Sequence, residues 1–198
     1  MKELFWKKHS ENRIYNIKNF RNSKKNNIFA NWSPYTRGLT YYNFFLNYYF
    51  KKNKKKFLAF KKKINNLNLG NAPGIKYDDK YNISYDDCLS FEEIIFLKDK
   101  NKMQNSLKYI LEIGPGYGRT VEAFITNFNV NKYFIIDYEN VLNLTNRYLK
   151  KTLSKKLFKK IIFIKYEDFN FRKNFFLDNY NITKFDLLIN ADSFHEIE

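Results

Sequence analysis

From residue 107 onward, apolar runs of strand length alternate with amphipathic stretches of helix length, and this alternation leaves few folds open. The runs "KYILEIG", "KYFIID", "KKIIFIKYEDF" and "KFDLLINADSF" are interleaved with "RTVEAFITNF" and "ENVLNLTNRYLKKTL". In the first amphipathic stretch Val121, Phe124, Ile125 and Phe128 fall on one side of a helix. Strands that read as continuous apolar runs are covered on both faces, which predicts parallel pairing. The expected fold class is therefore α/β, a doubly wound parallel sheet. The sequence stops at Glu198, directly after the fourth strand pattern, so a sheet truncated at its C-terminal side is expected. No internal repeat supplies further strands.

The first strand turns into the first helix through "EIGPGYG", which holds Gly114, Gly116 and Gly118, three of only six glycines in the chain. In a doubly wound sheet ligands sit outside the carboxyl ends of the strands, where this turn lies. A tight turn with a ligand against its backbone favours residues that lack Cβ and tolerate positive φ. The helix that follows directs free N–H groups and its positive dipole end at the same place. A dinucleotide fingerprint would need a third glycine at 119 or 121, and those positions are Arg119 and Val121. Asp137 ends the second strand about twenty residues on, where a carboxylate can accept both hydroxyls of a ribose.

The pattern E-x-G-x-G-x-G over 112 to 118 resembles the cofactor loop of class I S-adenosylmethionine-dependent methyltransferases, whose fold is Rossmann-like. The combination "ILEIGPGYGR", "YFIIDYENVLNLTNRYLKK" and "FDLLINADSFHEI" further resembles bacterial sugar O-methyltransferases associated with surface polysaccharide synthesis. The resemblance implies S-adenosyl-L-methionine as cofactor, held by the turn Gly114, Pro115, Gly116, Tyr117 and Gly118, with Glu112 orienting its amino group. It further implies Asp137 and Tyr138 at the nucleoside, Asp168 or Glu167 at the adenine, and Asn190 and Ala191 at the cofactor. The family continues past the fourth strand, so the parts that complete its acceptor pocket are not matched here.

A sugar hydroxyl is a poor nucleophile at neutral pH and needs a base within hydrogen-bond reach. His195 is the candidate, with Asp192 and Glu196 near enough in sequence to orient or replace it. No metal-ligand spacing is present: there is one cysteine, Cys88, two histidines, and no H-x-x-x-H. Cys88 is expected in a loop and without a role in the chemistry. The lone cysteine also fits a reducing compartment. With no apolar run near the ~20 residues that span a bilayer, and no signal peptide in "MKELFWKKHSENR", a cytoplasmic location is expected.

The net charge of +16 is unevenly spread. Residues 1 to 69 carry 17 Lys or Arg against Glu3 and Glu11, whereas residues 107 to 198 carry 14 against 11 acids. Lys, Asn, Ile, Phe and Tyr are frequent throughout, as an AT-rich coding sequence alone would produce, so charge by itself names no partner. Three regions are expected: a basic, aromatic-rich, mostly helical region over 1–69, a linker with a lead-in helix over 70–106, and a partial methyltransferase domain over 107–198. In the first, Phe50, Phe57, Phe60, Ile64 and Leu67 mark one helix face and lysines cover the other. This helix, within residues 40–67, is expected to be a solvated helix that packs its phenylalanines on the α/β domain. Peripheral contact with an anionic membrane or a glycan-lipid is a second reading, and RNA is a third, with Tyr41, Tyr42, Tyr48 and Tyr49 available for stacking. In the lead-in segment, Ser90 with Glu93 forms a capping-box pattern that predicts a helix of roughly ten residues. A methyltransferase acting on RNA and a non-catalytic remnant remain the alternative functions. The asparagine of "LLINADSF" is followed by Ala191 and Asp192 where base-amino methyltransferases carry prolines, which argues against amino-group methylation.

Overall fold

Strand β3, Ser106–Ile113, has an inner half, Ile110 to Ile113, that is buried on both faces and apolar except for Glu112, and it is the strand about which one half of the protein is organised. The computed structural model describes residues 16–21, 44–64, 67–72, 74–77, 81–99, 106–169 and 172–190. These fall in two compact units, one containing the described residues up to 99 and the other containing 106 to 190.

In the N-terminal unit a wide π-helical turn, Phe45–Phe50, runs into helix α1, Lys51–Lys63. In an α-helix residues five apart would lie ~140° apart around the axis. The i→i+5 winding brings them nearer one face, and Phe45 and Phe50 are both buried. Phe57, Phe60 and Ile64 continue this buried face, whereas Leu67, expected on it, lies beyond the helix and is exposed. A hairpin of β1, Gly74–Tyr77, and β2, Tyr81–Ser84, precedes helix α2, Tyr85–Asp99. The Phe91 ring of α2 packs nearly perpendicular to the Phe57 ring, their centroids 5.0 Å apart.

Helix α2 begins earlier than the Ser90 pattern predicts. Ser84 is its cap: the Ser84 hydroxyl accepts from the Asp87 N–H at 3.2 Å, and the Asp87 carboxylate accepts from the Ser84 N–H at 2.8 Å. Ser90 is buried inside the helix. Cys88, expected in a loop, is also in this helix and fully buried. Two ion pairs tie the segment after residue 70 to what precedes it: Arg21 to Asp86, and the almost completely buried Lys61 to Asp87 at 2.9 Å.

The second unit is a four-stranded sheet. After β3 come helix α3, Arg119–Asn127, strand β4, Asn129–Asp137, helix α4, Glu139–Thr152, a short helix α5, Lys155–Phe158, and strand β5, Ile161–Lys165. Two more short helices follow, α6, Tyr166–Phe169, and α7, Phe175–Tyr180, before strand β6, Leu187–Ile189. Helix α7 was not evident from its sequence. The strand order is β5-β4-β3-β6 and every neighbouring pair is parallel. In order of appearance this is 3-2-1-4, the doubly wound Rossmann-like order, with the reversal of direction between β3 and β6.

Register divides the sheet into two faces. Leu111 and Ile113 sit beside Phe134 and Ile136 and pack with Ile164, Phe169 and Ile182, while Phe175 and Phe176 of α7 close over them. On the other face Ile110 pairs with Tyr133 and Glu112 with Ile135, all essentially inaccessible. Helices α3 and α4 contact β4, as expected where successive crossovers share one hand and therefore one face. The apolar stripe of α3 is buried as its spacing predicts, with Val121, Phe124, Ile125 and Phe128 all 5% exposed or less.

Candidate functional site

The turn between β3 and α3 is left-handed three times in five residues: φ is 71° at Gly114, 56° at Gly116 and 99° at Gly118. A side chain at the third position would meet a wall as well as strain. A Cβ on Gly118 would lie 3.0 Å from Cγ2 of Thr145 and 3.1 Å from Cγ of Leu149, both on α4. The turn is clasped from the same helix, because the buried Thr145 hydroxyl donates to the Gly116 carbonyl at 2.5 Å. Tyr117 packs edge-on against Tyr148, whose hydroxyl donates to the buried Glu122 carboxylate of α3 at 2.5 Å. Within the turn the Gly118 N–H donates to the Pro115 carbonyl at 3.0 Å.

Backbone pairing brings the remaining candidates to this turn. Ile113 is in register with Ile136, and the Gly114 N–H donates to the Ile136 carbonyl at 2.9 Å. The next residue of β4 is Asp137, half-buried at the strand's carboxyl end, with Oδ1 accepting from the Tyr138 N–H at 2.8 Å. From the other neighbour, Asn190 reaches across the switch point and donates from Nδ2 to the Ile113 carbonyl at 3.1 Å. The left-handed turn, Asp137 and Asn190 thus occupy one rim, on the carboxyl ends of three adjacent strands.

Glu112 lies elsewhere in character. It is 1% exposed on the α3/α4 face and accepts from the Tyr133 hydroxyl at 2.8 Å, so one clear function of this carboxylate is to link two strands inside the core. Glu167 and Asp168 are both exposed on α6, at the end of β5. Their neighbour Tyr166 places its ring 5.3 Å from that of Tyr138, forming a half-buried aromatic pair beyond Asp137. Sequence reading missed Tyr166, Thr145, Tyr148 and Tyr133. The one local signal was a threonine within the apolar stripe of α4. Lys165 is held above the usual lysine value by its hydrogen bond to Glu139 and by that carboxylate's charge, although both are well exposed. Ala191, Asp192, His195 and Glu196 lie outside the described residues.

An opening of about 460 Å³ lies at the opposite end of the strands, lined among others by Ser106, Asn129, Lys160 and Asp186. Its charged groups are engaged in the fold: Asp186 accepts from the Lys108 and Tyr109 N–H groups, and Lys160 donates to the Val130 carbonyl. Ligands of doubly wound sheets sit at the carboxyl ends, so the rim at Gly114 is the candidate site. Among the described residues no group of His, Cys, Asp and Glu is arranged to hold a metal, and no helix is long and apolar enough to cross a membrane.

Fold and site together define a Rossmann-like α/β domain with a glycine turn and a strand-end carboxylate at its switch point. No protein-family model and no curated protein matches the chain. Among solved structures it is similar to the methyltransferase domain of bacterial CtHen1, at 15% identity and a TM-score of 0.36, over 52% of this chain and 48% of that one. It is also similar to an O-methyltransferase family protein from Burkholderia thailandensis, at 8% identity and a TM-score of 0.28, over 41% of this chain and 24% of that one. The chain thus spans about half the length of the first and a quarter of the second. At such TM-scores these likenesses carry no argument about the chemistry.

Proposed function

We propose that the protein is an S-adenosyl-L-methionine-dependent O-methyltransferase whose acceptor is a sugar hydroxyl, that of a bacterial surface polysaccharide or its precursor. The observation that carries this reading is the bond from the Gly114 N–H to the Ile136 carbonyl, which sets a left-handed, Cβ-free turn directly beside Asp137. The donor set suits a nucleoside bearing a diol and an ammonium group: a carboxylate at that position accepts hydrogen bonds from ribose hydroxyls but repels a phosphate. The backbone of Gly114 to Gly118 would approach the methionine portion, and Tyr138 with Tyr166 offers an aromatic edge for the base. When bound, the cofactor supplies a methyl group on a sulfonium, open to in-line displacement. The chain's part is then to hold the acceptor oxygen in line and to take its proton, a task this reading gives to His195, with Asp192 and Glu196 to orient it. The surface-polysaccharide assignment rests on the resemblance of the strand motifs.

Calorimetric titration of S-adenosylmethionine into the full chain tests the reading. One cofactor should bind per chain, and Asp137→Ala should weaken binding about 10- to 100-fold, since hydrogen bonds to a charged group contribute ~1.5–3 kcal/mol. Slow amide exchange at Ile136 in the variant would establish that the sheet is intact. No binding to the wild-type chain, or equal affinity in a folded Asp137→Ala variant, refutes it.

A further inference from the structure

Helix α1 carries a charge that its packing does not use. Eight of its thirteen residues are lysine and none is acidic. Lys61 alone points into the core, paired with Asp87, while Lys51, Lys52, Lys55, Lys62 and Lys63 are exposed. The helix is kinked at Asn53, and its lysines crowd as Lys51 with Lys52, Lys54 to Lys56, and Lys61 to Lys63, so that like charges lie close together and repel one another. The crowding extends to the next helix: burial and, after it, the charge of Lys63 hold Lys98 below the usual lysine value. A helix that retains such repulsion breaks a local rule, and such breaks mark functional surface.

Burial selects the partner. An amphipathic helix enters a membrane interface with its apolar face, but here Phe57, Phe60 and Ile64 are 0%, 3% and 9% exposed, because that face is spent on the unit's own core. Among the described residues, the apolar groups left outside at the head of the lysine helix are two rings. Phe44 is 54% and Tyr48 59% exposed, and they stack with centroids 5.4 Å apart and planes 18° from parallel. Exposed rings beside a basic stripe are how proteins hold single-stranded nucleic acid, through base stacking and phosphate contacts together.

We propose that the outer face of residues 44–63 binds single-stranded nucleic acid, with Lys51, Lys52, Lys55, Lys62 and Lys63 on phosphates and Phe44 and Tyr48 against a base. The proposal does not depend on the methyl-transfer reading, because the surface lies wholly within the N-terminal unit.

Fluorescence anisotropy of an end-labelled 15-nucleotide oligouridylate with the full chain tests it. Five phosphate contacts on a single strand predict a slope of log K against log salt near −3.5, hence a loss of roughly a hundredfold between 50 and 200 mM salt. Lys51→Ala/Lys52→Ala/Lys55→Ala should flatten that slope by about 2. Phe44→Ala/Tyr48→Ala should weaken binding about tenfold or more with the slope unchanged. Lys155→Ala/Lys156→Ala/Lys159→Ala, three exposed lysines of the other unit, should bind almost as the wild type does. Equal losses in the two lysine triples, or an aromatic variant that binds like the wild type, would overturn the proposal. So would chain that sediments with phosphatidylglycerol-containing vesicles while leaving the oligonucleotide free.

Discussion

Gly118→Ala is the substitution that most directly tests how the turn is built. The residue sits at φ 99°, ψ 20°, beyond the left-handed well near φ +50 to +70° that other residues visit. Holding alanine there costs ~1–3 kcal/mol. The added methyl meets Thr145 Cγ2 at 3.0 Å and Leu149 at 3.1 and 3.2 Å, and both residues are fully buried on α4. Neither neighbour has room to withdraw, so overpacking adds another ~1–3 kcal/mol. Gly116→Ala is the internal comparison: its φ of 56° lies inside the well, and it should cost only ~1 kcal/mol. The two variants should differ by ~3 kcal/mol, which is roughly a hundredfold or more in the exchange rate of core amides such as Ile135 and Ile136. Residue-resolved hydrogen exchange is the appropriate assay, because a chain of two units need not unfold in one step. Thr145→Ser removes the nearest methyl but keeps the hydroxyl that holds Gly116, so in that background the cost of Gly118→Ala should fall. Equal protection in Gly116→Ala and Gly118→Ala, unchanged by Thr145→Ser, would refute this account.

Two further predictions concern the N-terminal unit. Asp87→Ala leaves the Lys61 ammonium, 3% exposed, without its partner, and removes half of the cap of α2. A loss of ~3–5 kcal/mol in urea unfolding is expected, and a loss under 1 kcal/mol would show that Lys61 finds another anion. Cys88 is fully buried, and burial first, with the charges of Asp87, Glu92 and Asp86 after it, pushes its thiol well above the ordinary value. A raised folded value means that the unfolded chain ionises first. The contribution is therefore complete below the unfolded thiol value of ~8.5 and lost as pH climbs above it. Relative to Cys88→Ala, the wild type should lose stability above that pH with the slope of one proton, and parallel curves would exclude ionisation of Cys88 as the cause.

What could be read in the sequence was whatever repeats or is confined to a few adjacent residues. The sheet strands β3, β4 and β5 are continuous apolar runs, the stripes of α1 and α3 recur at helical spacing, and the glycine turn is a local conformational demand. Less legible features depended on distant partners. Ser84 and Ser90 each precede an acid by three residues, and only the ion pair between Asp87 and Lys61, 26 residues away, adds weight to the first. The bond that Glu112 accepts from the Tyr133 hydroxyl was equally hidden, because nothing near Glu112 in sequence announces a partner 21 residues on. Helix α7 has six residues, too few for a period to emerge, and its place is set by Phe175 and Phe176 packing on the sheet.

The length of the lysine face bears on which sugar the proposed acceptor belongs to. The ten residues from Lys54 to Lys63, beyond the kink at Asn53, alone extend ~15 Å, so lysines at the two ends of that stretch cannot meet in one phosphate or diphosphate group. A glycan precursor activated through such a group would engage one or two of them and give a salt slope near −1 to −2 at most. A polynucleotide passes a phosphate every few ångströms and engages the whole face, which is the origin of the steeper slope expected above. Ribose is itself a sugar, and RNA presents its 2′-hydroxyl beside each of those phosphates. A steep slope would make RNA an acceptor to test against the proposed glycan, whereas a slope shallower than −2 leaves the proposed methyl-transfer site with an acceptor that does not depend on α1. Methylation of an oligoribonucleotide but not of its deoxyribose counterpart would identify the hydroxyl; equal methylation of both would exclude it.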